Sequence, residues 1–272
     1  MAASHLLAKM TWEDVNEAVK ARRVVLIPVG AIEQHGPHLP VDTDNVSVAA
    51  VCERAAASAP DLLVSVPPIH YGFNEHNMDF PGTVTVDADH FVHYCTDVAR
   101  SFGRMGFRRV LFVNGHGSNA HLLEQAARAA TLRGPAKVAS VSYWALITEE
   151  FAAVRESAYP GGTSHACEFE TSTYLYLDPA HVKREKIAPG VRTQTKYFWE
   201  DLMGPGTSPV KFTDWRSTQT DTGVGGDPTL ATAAKGELIV RAASARIVEA
   251  AREFRDLRLG ARRSFIADVP DY

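Results

Sequence analysis

Cysteine is scarce in this 272-residue sequence: Cys52, Cys95 and Cys167 stand in no paired spacing. Three thiols cannot all close internal disulfides, so the fold is expected to rest on its own core in a reducing cytoplasm. No stretch approaches the ~18 consecutive apolar residues of a membrane span. Met1 to Thr11 also lacks the cationic-then-apolar order of an export leader. There is no excess of positive charge: 28 Lys and Arg against 32 Asp and Glu give a net charge of −4, and no footprint for nucleic acid. The dinucleotide fingerprint and the phosphate-cradling loop are both missing. No serine sits between the flanking glycines of a nucleophile elbow. Internal repeats, low-complexity tracts and linkers are absent, so residues 1–272 are read as one domain. These absences leave a cytoplasmic protein acting on a small molecule, without nucleic-acid or membrane partners.

What is present is a series of short apolar runs: Val24–Val29, Leu62–Val66, Val110–Val113 and Val138–Val141. Continuous rather than alternating apolar runs predict strands covered on both faces, as in a parallel sheet. Helical patterns lie between and after them, at about Asn45–Ala57, His90–Met105, Ala120–Leu132, Glu168–Leu177 and Thr229–Leu257. Asp44 or Thr43, Asp87 or Asp89, and Asn119 are the candidate caps of the first three, and Gly106 is a candidate C-terminal cap. Gly236 interrupts the last helix and marks a close packing or a kink. Alternating strands and helices predict a layered α/β fold, whose ligands gather beyond the carboxyl ends of the strands. The stretch 193–226, rich in Gly, Pro, Thr and Asp, reads as a surface excursion, either an oligomer contact or a wall of the site.

Three glycine-containing loops carry the chemistry. After the first strand, Glu33 and His35 are two apart and project to one side of an extended backbone. Gly36, Pro37 and Pro40 then turn the chain so that Asp44 can return toward them. After the third strand, Gly115-His116-Gly117 puts an imidazole at the sheet edge. In Gly161-Gly162-Thr163-Ser164-His165-Ala166-Cys167-Glu168-Phe169-Glu170, His165 and Glu168 are three apart and share a helix face, whereas Glu170 points elsewhere. Glu170 could still flank the same pocket as His165 if the helix starts after Ala166. Each loop taken alone also suits a cap or a turn. Together, hard oxygen donors mixed with imidazoles suit zinc, manganese or iron. Three carboxylates against two divalent ions leave a positive centre able to acidify a bridging water and polarise a carbonyl, which predicts hydrolysis.

These segments resemble the creatininase (creatinine amidohydrolase) family, from about Thr11 to about Ala251. The marks are Gly30-Ala31-Ile32-Glu33-Gln34-His35-Gly36-Pro37-His38-Leu39-Pro40, Asp42-Thr43-Asp44, Asn114-Gly115-His116-Gly117, Glu75-His76, Ser164 to Ser172 and Gly223-Val224-Gly225-Gly226-Asp227-Pro228. The resemblance implies a three-layer α/β/α fold with a mostly parallel central sheet, assembled as a homo-oligomer, often a hexamer. It implies a hydrolase that attacks a C–N bond of a small molecule with a hydroxide bridging two divalent metal ions, zinc first, with manganese or iron as alternatives. Carried over by motif, Glu33 and His116 hold one ion, His35 the other, Asp44 bridges them, and Glu168 completes the second site. Creatinine-hydrolysing members take that last ligand just after the motif histidine, where this chain has Ser118. His165 is implied as the general acid/base, with Glu170 beside it. Glu75 and His76 line a substrate loop, and Trp144 forms an aromatic wall. Gly161-Gly162 stand where creatinine-hydrolysing members carry a tryptophan and acidic lid, which implies a more open pocket. Other relatives deformylate a pyrimidine nucleotide intermediate, trim a modified peptide, or open a keto-inositol ring. The last keeps C–C hydrolysis of a cyclic ketone as the alternative chemistry.

Overall fold

The computed structural model describes residues 4–192, 194–204, 208–260, 263, 265 and 266. Its centre is a wholly parallel four-stranded sheet of β1 (Val24–Val29), β2 (Leu63–Ser65), β3 (Arg109–Asn114) and β4 (Lys137–Ser142), in the order β2-β1-β3-β4. Every residue of β1 is buried, because alternate side chains serve two different cores. Val24 and Leu26, with Leu111 and Val113 of β3, pack against α2 (Thr43–Ser58) and α7 (Ala233–Asp256). Val25, Ile27 and Val29, with Val110 and Phe112, pack against α3 (Ala88–Met105) and α4 (Ala120–Arg133). Each such side chain contributes about 1.5–3 kcal/mol of burial free energy, so neither face can be left open. The result is the three-layer α/β/α arrangement that the apolar runs and the family resemblance predict.

The strand order creates the crevice. The chain leaves β1 toward α2 on one face of the sheet, and leaves the neighbouring β3 toward α4 on the other. Two adjacent loops therefore part company beyond the strand ends, the geometry in which such sheets bind ligands. Beside it lie the short α5 (Thr148–Ala152), α6 (Glu168–Leu177) and a separate antiparallel pair, β5 (Thr163–His165) with β6 (Gly225–Gly226).

The local signals fare unevenly. Asp87 caps α3 by accepting from the Asp89 and His90 amides, and Gly106 ends it in the left-handed conformation with φ of 106°. The expected caps of α2 and α4 do not cap. Asp42 takes the N-cap position of α2, and its carboxylate instead accepts from Tyr174 Oη at 2.9 Å. Asn119 accepts from the Phe73 amide and donates to Gly30 O, tying two loops together. The helix α1 (Trp12–Lys20), closed by a Thr11–Asp14 capping box, was not expected; Val15 and Val19 pack partly buried beside Ala18 on the second core. Of the excursion 193–226, residues 193 and 205–207 lie outside those described. Among the described residues, no helix is long and apolar enough to cross a membrane.

Candidate metal centre

Glu33 and His35 leave β1 on an extended loop, as the two-residue spacing requires, and both are buried. Asp44 returns on the first turn of α2, and His116 follows β3. Gly115 lets these two loops meet, for a Cβ there would lie 2.7 Å from Val48 Cβ and 3.0 Å from Asp44 O. His165 ends β5, and Glu170 reaches in from the first turn of α6. Three triads of donor atoms, each within 4.8 Å of one another, result: Glu33, Asp44 and His116; His35, Asp44 and Glu170; and Glu33, His35 and His165. Asp44 belongs to the first two. Its Oδ2 stands 3.1 Å from His116 Nδ1, and its Oδ1 3.3 Å from His35 Nε2. Glu33 Oε1 lies 2.9 Å from His116 Nδ1 and 3.6 Å from His165 Nδ1.

The surroundings aim these atoms. His35 Nδ1–H donates to Glu33 O at 3.2 Å, His116 Nε2–H to Phe73 O at 3.1 Å, and His165 Nε2–H to Gln34 O at 2.6 Å. A carbonyl can only accept, so each bond sets the tautomer and turns the other ring nitrogen toward the cluster. Asn77 Nδ2 donates to Glu33 Oε2 at 2.6 Å, which leaves Oε1 for the centre. Glu170 Oε2 is held by the Ala166 amide at 2.5 Å, with Ala166 itself in the left-handed region at φ of 50°. His35 Nε2 and Asp44 Oδ2 are fully buried and have no hydrogen-bond partner among the described residues. Lone-pair atoms this close and this poorly bonded to one another suit a shared cation, so the donor set fits divalent metal.

The charges agree. Burial opposes ionisation of Glu33, yet His116, His165 and His35 hold its carboxyl well below the usual range. Burial likewise opposes charge on His35 and His116, but Asp44, Glu170 and Glu33 push His35 up to about 10, and Glu33 and Asp44 lift His116 well above normal. Burial, reinforced by Asp44 and Glu33 against the pull of His35, raises Glu170 to about 7. This cluster of carboxylates demands positive charge. His165 differs: burial, then His35 and Arg216, outweigh the pull of Glu33 and keep it neutral. Burial and Glu170 also raise the Cys167 thiol well above its ordinary value, which disfavours the thiolate that a nucleophile needs.

Glu168, expected as a ligand, stands elsewhere. Its carboxylate is fully buried and accepts from Lys235 Nζ at 2.5 Å and from the Ser157 and Glu156 amides at 2.9 and 3.1 Å. Glu170 joins the donor cluster instead, because the helix begins at Glu168 itself and turns that side chain toward α7. Trp144 is likewise not a pocket wall; it packs edge-on against Tyr143 within the core beside α7. Glu75 is exposed on a helical turn, Glu75–Asn77. His76 on that turn stacks on His116 with centroids 6.5 Å apart. Gly161-Gly162 form a tight turn, with a Cβ on Gly162 meeting Ala158 O at 2.3 Å. Asn77 was not anticipated, nor was Asp201, whose buried carboxylate accepts from Arg155, the Gly161 amide and Thr163 Oγ1 and so pins the excursion to β5. Gln34 donates to Asn77 Oδ1 and Gly223 O, bringing the far end of the excursion to the metal loop. These pairings span 38 to 189 positions and leave no local signal.

A layered sheet with buried donor triads at its switch point offers a candidate metal site. The family model for creatininase, described as creatinine amidohydrolase, matches residues 8–251, and the chain belongs to that family of metal-dependent hydrolases acting on C–N bonds. It is 34% identical over 226 residues to the mycofactocin precursor peptide peptidase of Mycobacterium tuberculosis, covering 80% of each chain. It is 31% identical over 204 residues to the creatinine amidohydrolase of Pseudomonas putida, covering 69% of this chain and 77% of that one. The solved manganese creatininase superposes with a TM-score of 0.80 at 25% identity, covering 93% of this chain and 100% of the other.

Proposed function

We propose that this chain is a binuclear metal hydrolase of a carboxamide C–N bond. Glu33, Asp44 and His116 would hold one divalent ion, and His35, Asp44 and Glu170 the other. The observation that carries this reading is the pair of donor triads sharing Asp44, with Glu170 rather than Glu168 as the fifth contributor. Imidazole mixed with carboxylate favours zinc, with manganese or iron as alternatives. Bound there, divalent ions supply Lewis acidity, polarising a substrate carbonyl and acidifying the attacking water.

The chain's own residues do the rest. His165 presents neutral Nδ1 toward the centre while Nε2–H stays on Gln34 O. It can therefore take a proton at Nδ1 and deliver it to the leaving nitrogen, as a general acid/base must. Asn77 keeps Glu33 from rotating, and the Glu75–Asn77 turn and the excursion wall the site from bulk water. The main reading is preferred over C–C ring opening because the peptidase and amidohydrolase relatives are matched over 80% and 77% of their length, whereas the 3-dehydro-scyllo-inosose hydrolase of Thermotoga maritima is matched over 57% of its own. A homo-oligomer in a reducing cytosol belongs to the same proposal, in keeping with three buried free cysteines.

Elemental analysis tests it. Purified wild type is expected to hold two divalent ions per chain and Asp44→Ala none, with amide hydrolysis lost alongside. Full metal content in Asp44→Ala, or one ion in wild type, would defeat the shared-carboxylate arrangement.

A further inference from the structure

Arg216 is a buried cation whose donors are only partly met among the described residues. It opens a helical turn, Arg216–Thr218, in the excursion, and this turn packs against the Glu75–Asn77 turn over the candidate metal centre. The residue is only 5% exposed. Its polar contacts are both long and both made by Nη1, at 3.3 Å to Glu200 Oε2 and 3.3 Å to Gln219 Oε1. Nε is buried and has no partner among the described residues. Glu200 pairs with it only through Nη1: burial raises the Glu200 carboxyl and Arg216 pulls it below its usual range, but the shorter Glu200 bond, at 2.6 Å, comes from Ser164 Oγ. The guanidinium lines a small recess with Gly161, Ser164, Glu200, Val191 and Gly225. Burial first, and Arg216 among the neighbouring charges, keep both His165 and His76 neutral, so the cation lies within electrostatic reach of the reacting groups.

A desolvated guanidinium that leaves donors unmade is expensive unless an anion arrives. The free Nε edge is a planar donor surface that matches the two oxygens of a carboxylate. We infer that Arg216 binds a carboxylate of the substrate, so that the enzyme's amides are acidic ones, with a free carboxylate close to the scissile bond. This rests on the metal-hydrolase reading above. Glu200, bonded to Ser164 beside His165, would give up its weak hold on Nη1 or remain as the far-side brace of the guanidinium. Either way the negative group of the substrate is read by the excursion while its carbonyl is read by the metal loops.

The experiment uses paired metal-binding probes on the metal-loaded enzyme. The monohydroxamates of malonic, succinic and glutaric acid carry a free carboxylate at three distances, and their methyl esters are neutral controls. Calorimetry on wild type is expected to show at least one acid binding tenfold to a hundredfold more tightly than its ester, the range of a charge-assisted bidentate contact. Arg216→Gln should bring that ratio to about one while ester affinity and metal content stay unchanged. Arg216→Lys, which keeps the charge without the fork, should keep part of the preference and serves as the reading if Arg216→Gln fails to fold. Glu200→Gln should keep or increase it, which a mere Arg216–Glu200 structural pair would not. Equal binding of acids and esters by wild type, or an undiminished preference in both Arg216 variants, overturns the inference. Failure of every ester to bind would instead bring down the metal reading, and this inference with it.

Discussion

Glu170 enters the cluster and Glu168 avoids it because two residues on a helix are rotated by about 200°. With α6 starting at Glu168, one carboxylate faces Lys235 of α7 and the other faces His35 and Asp44. Glu170→Ala is therefore expected to lower metal content from two ions per chain to one, whereas Glu168→Gln should retain both. The reverse pattern in elemental analysis would restore Glu168 as the ligand. His165→Ala should hold both ions and lose roughly 10²- to 10⁴-fold in rate, the usual share of a general acid/base. Loss of metal from that variant would make His165 a ligand through the triad it forms with Glu33 and His35. At this scale Glu33, His35, Asp44 and His116 were legible from spacing, since each follows a strand or opens a helix. The choice between Glu168 and Glu170 was not, because it depends on where the helix begins, and a shift of about two residues, roughly half a turn, exchanges their roles.

Between elements, α6 and α7 are joined by a buried ion pair and by close backbone contact. A Cβ on Gly236 would lie 2.0 Å from Ser172 O, so that glycine marks helix packing rather than a kink. Lys235 Nζ reaches Glu168 at 2.5 Å, Glu156 at 2.6 Å and Leu230 O at 2.8 Å. Burial works against both charges, but hydrogen bonds from Lys235 and Ser157 lower the Glu168 carboxyl, and those to Glu156 and Glu168 raise the Lys235 ammonium. Glu168 thus stabilises the fold above its unfolded value of about 4.3, and that contribution is lost as pH falls through its lower folded value. Lys235 contributes below about 10.4, and that contribution is lost as pH rises through its higher folded value. Lys235→Met should cost on the order of 3 kcal/mol between these limits, since it leaves Glu168 buried without its cation. Urea titrations across pH should show the gap between wild type and variant narrowing on both flanks, and a constant gap would refute the assignment. The strands and the helices α2, α3, α4, α6 and α7 were readable because both-face burial and helical periodicity leave strong patterns. The caps of α2 and α4 were not, because the polar residues at those ends are recruited to hold loops at the site instead.

Across the whole molecule, the sheet order sets two loops apart at the β1–β3 switch point, and the excursion closes over them. That closure could not be read from the sequence, because it depends on long-range polar contacts such as Gln34 with Gly223 and Asp201 with Arg155 and Thr163. The same convergence ties folding to metal. Glu33, Asp44 and Glu170 lie in a region with little solvent, and without divalent ions they have mainly His35 and His116 to balance them. An ion binding only the folded chain stabilises it by about 4 kcal/mol at a thousandfold excess over its dissociation constant. For a chain of this size that corresponds to a midpoint shift on the order of ten degrees. Stripping both ions with a chelator should lower the thermal midpoint by about twice that amount, and restoring two equivalents of zinc should recover it. Asp44→Ala should melt near the stripped wild type and respond little to added zinc. An unchanged midpoint in stripped wild type, with reloading verified by elemental analysis, would mean that the carboxylate–imidazole cluster is already at rest without a cation, and the case for a resident metal would fail with it.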